Sequence, residues 1–134
     1  MRVLRVEQYK APFVKEIDPS LESLQHEVGG TVQAVYPFDD PVALLCNDDG
    51  KLLGLELNRA LRDDNGEIYD VIAGSFLIVG CGEEDFDSLS EDMIDKYREI
   101  FAQPEVFIRT NSGLLVLPYV TEDFTYRGDS ELER

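Results

Sequence analysis

The chain reads as a single α+β domain over residues 1–120, a mainly antiparallel sheet of about six strands with two helices, followed by a polar tail over 121–134. Three features predict this. Short apolar runs recur along the chain between clusters of Asn, Asp, Gly and Pro, the punctuation of a strand-rich fold. Two segments show apolar residues at helical spacing. No internal repeat and no interdomain linker divides the sequence.

The elements follow in order. MRVLRVEQY and APFVKEI read as two strands of a first hairpin, with Pro12 shaping entry to the second. Asp18-Pro19 supplies an N-cap and a first-turn proline to a short helix carrying Leu21, Leu24 and Val28, stopped by Gly29-Gly30. TVQAVYPF is a strand, Pro37 and Asp39-Asp40-Pro41 a loop, and VALLC a strand. Asn47-Asp48-Asp49-Gly50 then predicts a hairpin turn leading into KLLGLEL. NRALR is expected to form one helical turn ending at Asp63-Asp64-Asn65-Gly66, and EIYDVIAGSFLIVG a β segment covered on both faces. Ser88-Leu89-Ser90-Glu91 matches a capping box, opening a helix with a stripe of Leu89, Met93, Tyr97, Ile100 and Phe101. VFIRT and LLVLPYV, joined by Asn111-Ser112-Gly113, read as a terminal hairpin.

Composition narrows the function classes. With 43% apolar residues the chain is globular, but 28 acidic against 12 basic side chains give a formal net charge of -16. Such a field repels phosphate backbones, so direct nucleic-acid binding is not expected. The acidity is either a solvating surface or a decoy for a basic groove. No basic N-terminal segment precedes an apolar run and no run is long enough to span a bilayer, which predicts no membrane association and a cytoplasmic protein. Cys46 and Cys81 lie in apolar runs without CxxC spacing and are expected as buried free thiols. His26 is expected on a helix surface.

Chemical motifs are sparse. GxSxG, HExxH, P-loop and GxGxxG patterns are missing, and the acid pairs fail the EF-hand register because Leu45 and Leu61 fall at the first ligand place. The expectation is therefore a protein without catalysis, cofactor or metal. Asn58, Arg59 and Arg62 stand out as cations and an amide set in an acidic chain. An arginine fork suits a carboxylate or phosphate, with Asn58 reaching a base or ribose. Equally, Arg59 and Arg62 could pair with Asp63, Asp64 or Glu67 while Asn58 caps a turn. Of the aromatics Tyr36, Phe38, Tyr69, Phe76 and Tyr119, most are expected in the core, with one or two free to stack on a ligand.

The spaced set EVGG, AVYPFDDPVALLCNDDGKLLGLELNRALRD and IAGSFLIVG resembles the domain of unknown function numbered 3846, a family of phages, plasmids and conjugative elements, over about residues 1–120. Gly29-Gly30, Asn47 with Gly50, the run ending Asn58-Arg59, and Gly74 carry the resemblance; Glu56-Leu57 departs from the family's Leu-Pro step. The resemblance implies a mobile-element protein in a bacterial host and, through the genes such proteins travel with, a role in counter-defence. Two binding roles follow. In one, the chain sequesters a small nucleotide-like immune signal through Asn58, Arg59 and Arg62, with Asn47 and Gly74 nearby, in a pocket that a second subunit could complete as a homo-oligomer. In the other, Glu83, Glu84, Asp85, Asp87, Glu91, Asp92 and Asp95 imitate a nucleic-acid backbone and block a basic host defence protein.

Overall fold

The computed structural model describes residues 1–120, and the tail expected over 121–134 lies outside the described residues. The first hairpin forms as expected from β1 (Arg2–Val6) and β2 (Phe13–Glu16). Helix α1 (Leu21–Val28) follows, its N-cap two residues later than Asp18: Ser20 accepts the Ser23 amide, while the Asp18 carboxylate accepts the Ser20 amide. Gly29 closes it in the left-handed region at φ 78°, where a side chain would strain the backbone.

β3 (Val32–Val35) and β4 (Val42–Asn47) pair antiparallel, so the expected hairpin between VALLC and KLLGLEL does not exist. Asn47 to Gly50 is a turn, but the residues after it run on as a loop to β5 (Leu57–Arg62). β5 contains NRALR, which is a strand and no helical turn. It pairs with β6 (Ile68–Ala73) across the Asp63–Gly66 turn. EIYDVIAGSFLIVG is broken by Gly74, at φ 82°, into β6 and β7 (Phe76–Cys81).

β7 is the spine of the main sheet, whose order is β2-β1-β7-β4-β3, every pair antiparallel, with the short β8 (Phe86–Asp87) added at the end of β7. Both of its faces are covered, which explains the continuous apolar run. On one face Val3, Ala43, Leu45, Leu77 and Val79 meet Ile17 and Leu24 of the α1 side. On the other, Leu4, Leu44, Phe76 and Ile78 pack against helix α2 (Glu91–Ile100) and against Leu61 and Ile72 of the β5–β6 hairpin. Ser90, rather than Ser88, caps α2, because the Ser88 hydroxyl already accepts the Arg2 amide and Glu91 turns back to the Arg2 guanidinium. The buried stripe of α2 runs through Ile94, Tyr97 and Phe101, and Ile100 is exposed instead. The terminal hairpin, β9 (Glu105–Thr110) and β10 (Gly113–Pro118), forms as expected. Of the two thiols only Cys46 is buried; Cys81, at the end of β7, is exposed.

Candidate functional site

Asn58 and Arg59 are successive residues of one strand, and both are buried, at 0% and 1% exposure. Simple alternation would send them to opposite faces. A bulge resolves this: the register with β6 shifts between Leu57 and Arg59, so Asn58 has no cross-strand partner and both side chains turn inward.

Once inside, they act as a clasp. The Asn58 amide donates to the carbonyls of Val6 and Gly74, at 2.9 Å each, joining β1 to the β6–β7 corner. Its Oδ1 accepts Arg59 Nη1 at 2.8 Å. Arg59 Nε and Nη2 both reach the Phe101 carbonyl at the C-terminus of α2 (3.2 and 3.1 Å), and Nη2 also donates to Lys10 at 2.6 Å. Longer Nη1 contacts meet the Glu7 and Asn58 carbonyls, both at 3.4 Å. Every guanidinium hydrogen thus has a carbonyl or amide acceptor. The expected phosphate fork is corrected accordingly: the donors of Asn58 and Arg59 are taken up by these acceptors, and among the described residues Arg59 is in no ion pair with a carboxylate. Burial drags the guanidinium down to about 10, which leaves it charged at neutral pH.

Arg59 nevertheless forms part of the wall of a cavity of about 380 Å³ between the β5–β6 hairpin, the end of α2 and the β9–β10 hairpin. Arg62 stands at its opening, 42% exposed, with Nη2 on Glu105 Oε2 at 2.6 Å. The other Glu105 oxygen accepts the Ala60 amide at 2.8 Å, so this mostly buried carboxylate ties β9 to β5 and orients Arg62 at once. Phe38, Tyr69, Phe101 and Val116 supply apolar walls, and Gln103 adds an amide. A second register shift, between Leu61 and Arg62, leaves Tyr69 unpaired on β6 and 55% exposed. Two of the expected aromatics, Phe38 and Tyr69, therefore face the cavity, whereas Phe76 is core. Glu105 and Gln103 gave no signal in the sequence, since one acid among 28 cannot be singled out before β9 is set against β5.

The remaining expected residues lie elsewhere. Asn47 is buried at the far end of the sheet, donating to Val28 and accepting the Asp49 amide. It fits there because Gly30 has no side chain; a Cβ would stand 2.8 Å from Asn47 Nδ2. Gly74 belongs to the Asn58 clasp through its carbonyl and does not face the cavity. The seven acids run from the β7–β8 turn into the first half of α2, all exposed. Among the described residues only Glu91 of these is in an ion pair, with Arg2. No group of three or more His, Cys, Asp or Glu side chains is arranged for a metal among the described residues, and no described helix is long and apolar enough to cross a membrane.

No curated protein and no solved structure matches the chain. A family model, that of a domain of unknown function, DUF3846, matches residues 1–102, a stretch running from β1 through the Phe101 carbonyl that Arg59 holds. The clasp and the turns that carry the motif residues all fall inside it, and the chain belongs to the DUF3846 family.

Proposed function

We propose that this chain is a non-catalytic binding protein that sequesters a small anionic, nucleotide-like ligand in the cavity beside Arg62. The observation that supports this reading is a charge imbalance: among the described residues two guanidinium groups, Arg59 and Arg62, border the cavity against one carboxylate, that of Glu105. Arg59 attracts an anion without touching it, through a charge that its carbonyl partners solvate but do not neutralise. Arg62 keeps donors beyond the one given to Glu105 and makes the direct contact. Phe38 and Tyr69 offer ring faces to a planar base, and the volume lies in the range of small-ligand sites. The mobile-element setting that the resemblance implies makes a host immune signal the fitting ligand.

The test is a thermal-shift titration with cyclic dinucleotides and ADP-ribose. A ligand at a hundredfold excess over its Kd stabilises the fold by ~2.7 kcal/mol, and Arg62→Ala removes that gain, measured against the variant's own unliganded Tm. No shift with either compound at millimolar concentration overturns the reading.

A second reading is favoured by a separate observation, the seven exposed acids from Glu83 to Asp95, with a single ion pair among them within the described residues. As a backbone mimic, this surface would bind a basic host protein in a salt-sensitive way that Arg62→Ala does not alter.

A further inference from the structure

One side of the β9–β10 hairpin borders two hollows. Glu105 and Val116 lie on the cavity of about 380 Å³ beside Arg62, while Arg109 and Leu114, a cross-strand pair on the same side of the ribbon, lie on a second hollow of about 530 Å³. Arg109 stands four positions beyond Glu105, about 13 Å along β9. Tyr69 borders both hollows and so stands between them. The register shift between Leu61 and Arg62, which leaves Tyr69 without a cross-strand partner, frees it for that position.

The second hollow has its own chemistry. Leu55, Leu57, Ile68, Val71 and Leu114 give it apolar walls. Among the described residues its one carboxylate is that of Asp70, which Lys51 Nζ holds at 2.8 Å, so its repulsion for an anion is largely cancelled. Arg109 is left over. It is exposed and, among the described residues, in no ion pair, although the chain carries 28 acidic side chains. A cation with spare donors therefore stands on each side of Tyr69, Arg62 on one and Arg109 on the other.

Given the ligand site beside Arg62, on which this step rests, we propose that the second hollow receives the other half of the same ligand, which is then a dinucleotide with anionic groups in two places. One base lies against Phe38 with its phosphate on Arg62. The other base enters the apolar hollow and its phosphate meets Arg109, with Tyr69 offering ring surface to both. Size agrees with this division: the first cavity alone lies near the small end of the ~300–1,000 Å³ range of ligand sites, and the two together approach its upper end. Because the halves are covalently joined, the second contact is intramolecular, and affinity rises without either half binding tightly.

Isothermal titration calorimetry on the full chain tests the proposal with two probes, AMP and the 5′-phosphorylated linear dinucleotide of adenosine. The dinucleotide is expected to bind at least about tenfold more tightly than AMP. Arg109→Ala removes about tenfold from the dinucleotide and leaves AMP within about twofold of wild type. Leu114→Asp, which sets a like charge in the second hollow, does the same, whereas Arg62→Ala weakens both probes. Arg109 and Leu114 are exposed, so both variants keep the wild-type Tm within a few degrees. Equal affinities for the two probes overturn the proposal, as does a dinucleotide affinity that neither Arg109→Ala nor Leu114→Asp lowers; in both cases AMP still binds and the site beside Arg62 stands. Binding of neither probe at millimolar concentration overturns the proposal too, and reaches the site beside Arg62 only when the ADP-ribose titration is also silent.

Discussion

Arg59 does the work of a small core, although it is the largest fully buried side chain and carries a charge. A guanidinium presents five donors in a rigid plane, and here that plane meets carbonyls from the β1–β2 loop, the C-terminus of α2 and its own strand. The negative end of the α2 dipole at Phe101 adds to the attraction. Removing the side chain strands several buried carbonyls, each costing ~1–3 kcal/mol. Arg59→Met is therefore expected to lower stability by at least about 3 kcal/mol, a large part of the ~5–15 kcal/mol total. Arg59→Lys keeps the charge but loses the fork and is expected to cost about 2 kcal/mol, read by urea unfolding. Arg62→Ala leaves the mostly buried Glu105 carboxylate with the Ala60 amide alone and is expected to cost ~1–2 kcal/mol, less than Arg59→Met because the half-exposed Arg62 can be replaced by water. Two arginines three positions apart thus differ in kind: one is scaffold, the other is accessible to a ligand.

Among the elements, those defined by local chemistry were legible in the sequence and those defined by pairing were not. The first and last hairpins, both helices, the Gly29 stop and the buried strand through Phe76–Gly80 follow from turn residues, caps and apolar period. NRALR was misread because Ala, Leu and Arg favour helices. Its strand state comes from β6, a partner recognisable only once Asp63–Gly66 is taken as a hairpin turn rather than a helix end. The Asn58 bulge, which turns two polar residues inward, has no sequence mark at all. Of the cavity lining, Arg59 and Arg62 were named in advance, whereas Phe38 and Tyr69 stood only among aromatics mostly expected in the core; Gln103 and Glu105 were hidden because their role depends on how β9 lies against β5. The motif residues proved mostly to be scaffold: Asn47, Gly30 and Gly50 hold the end of α1 and the turn after β4, where a Cβ on Gly50 would stand 3.0 Å from the Ala73 carbonyl. Gly74 is the sharpest case. At φ 82° and with a Cβ placed 2.9 Å from Leu55 Cδ1, Gly74→Ala is expected to cost ~1–2 kcal/mol and, by shifting the carbonyl that Asn58 grips, to lower Tm more than Gly66→Ala in an open turn.

For the molecule as a whole, pH divides its polar contacts. Hydrogen bonds from Lys96 and Tyr97 hold the Asp40 carboxyl below its ordinary 3.8, so their contribution is intact above that value and is lost as acid protonates Asp40 in the fold. Burial first, and then the bond to Asp40, push the Tyr97 hydroxyl well above its ordinary 10.0. An unfolded chain would release that proton first, so this contribution is complete below pH 10 and disappears as pH rises further. Tyr97→Phe is expected to cost about 1 kcal/mol near neutrality and to flatten the alkaline decline of Tm relative to wild type, as followed by calorimetry across both limbs. The position of Phe101 has a further outcome. Among the described residues the acceptors of Arg59 all lie before residue 102, whereas Glu105 reaches back from the last hairpin to Ala60 and Arg62. A chain cut after Gln103 would retain every acceptor of Arg59 yet lose the Glu105 carboxylate and the Val116–Pro118 wall, so the support of the buried cation and the rim of the pocket it borders reside in separate stretches of sequence.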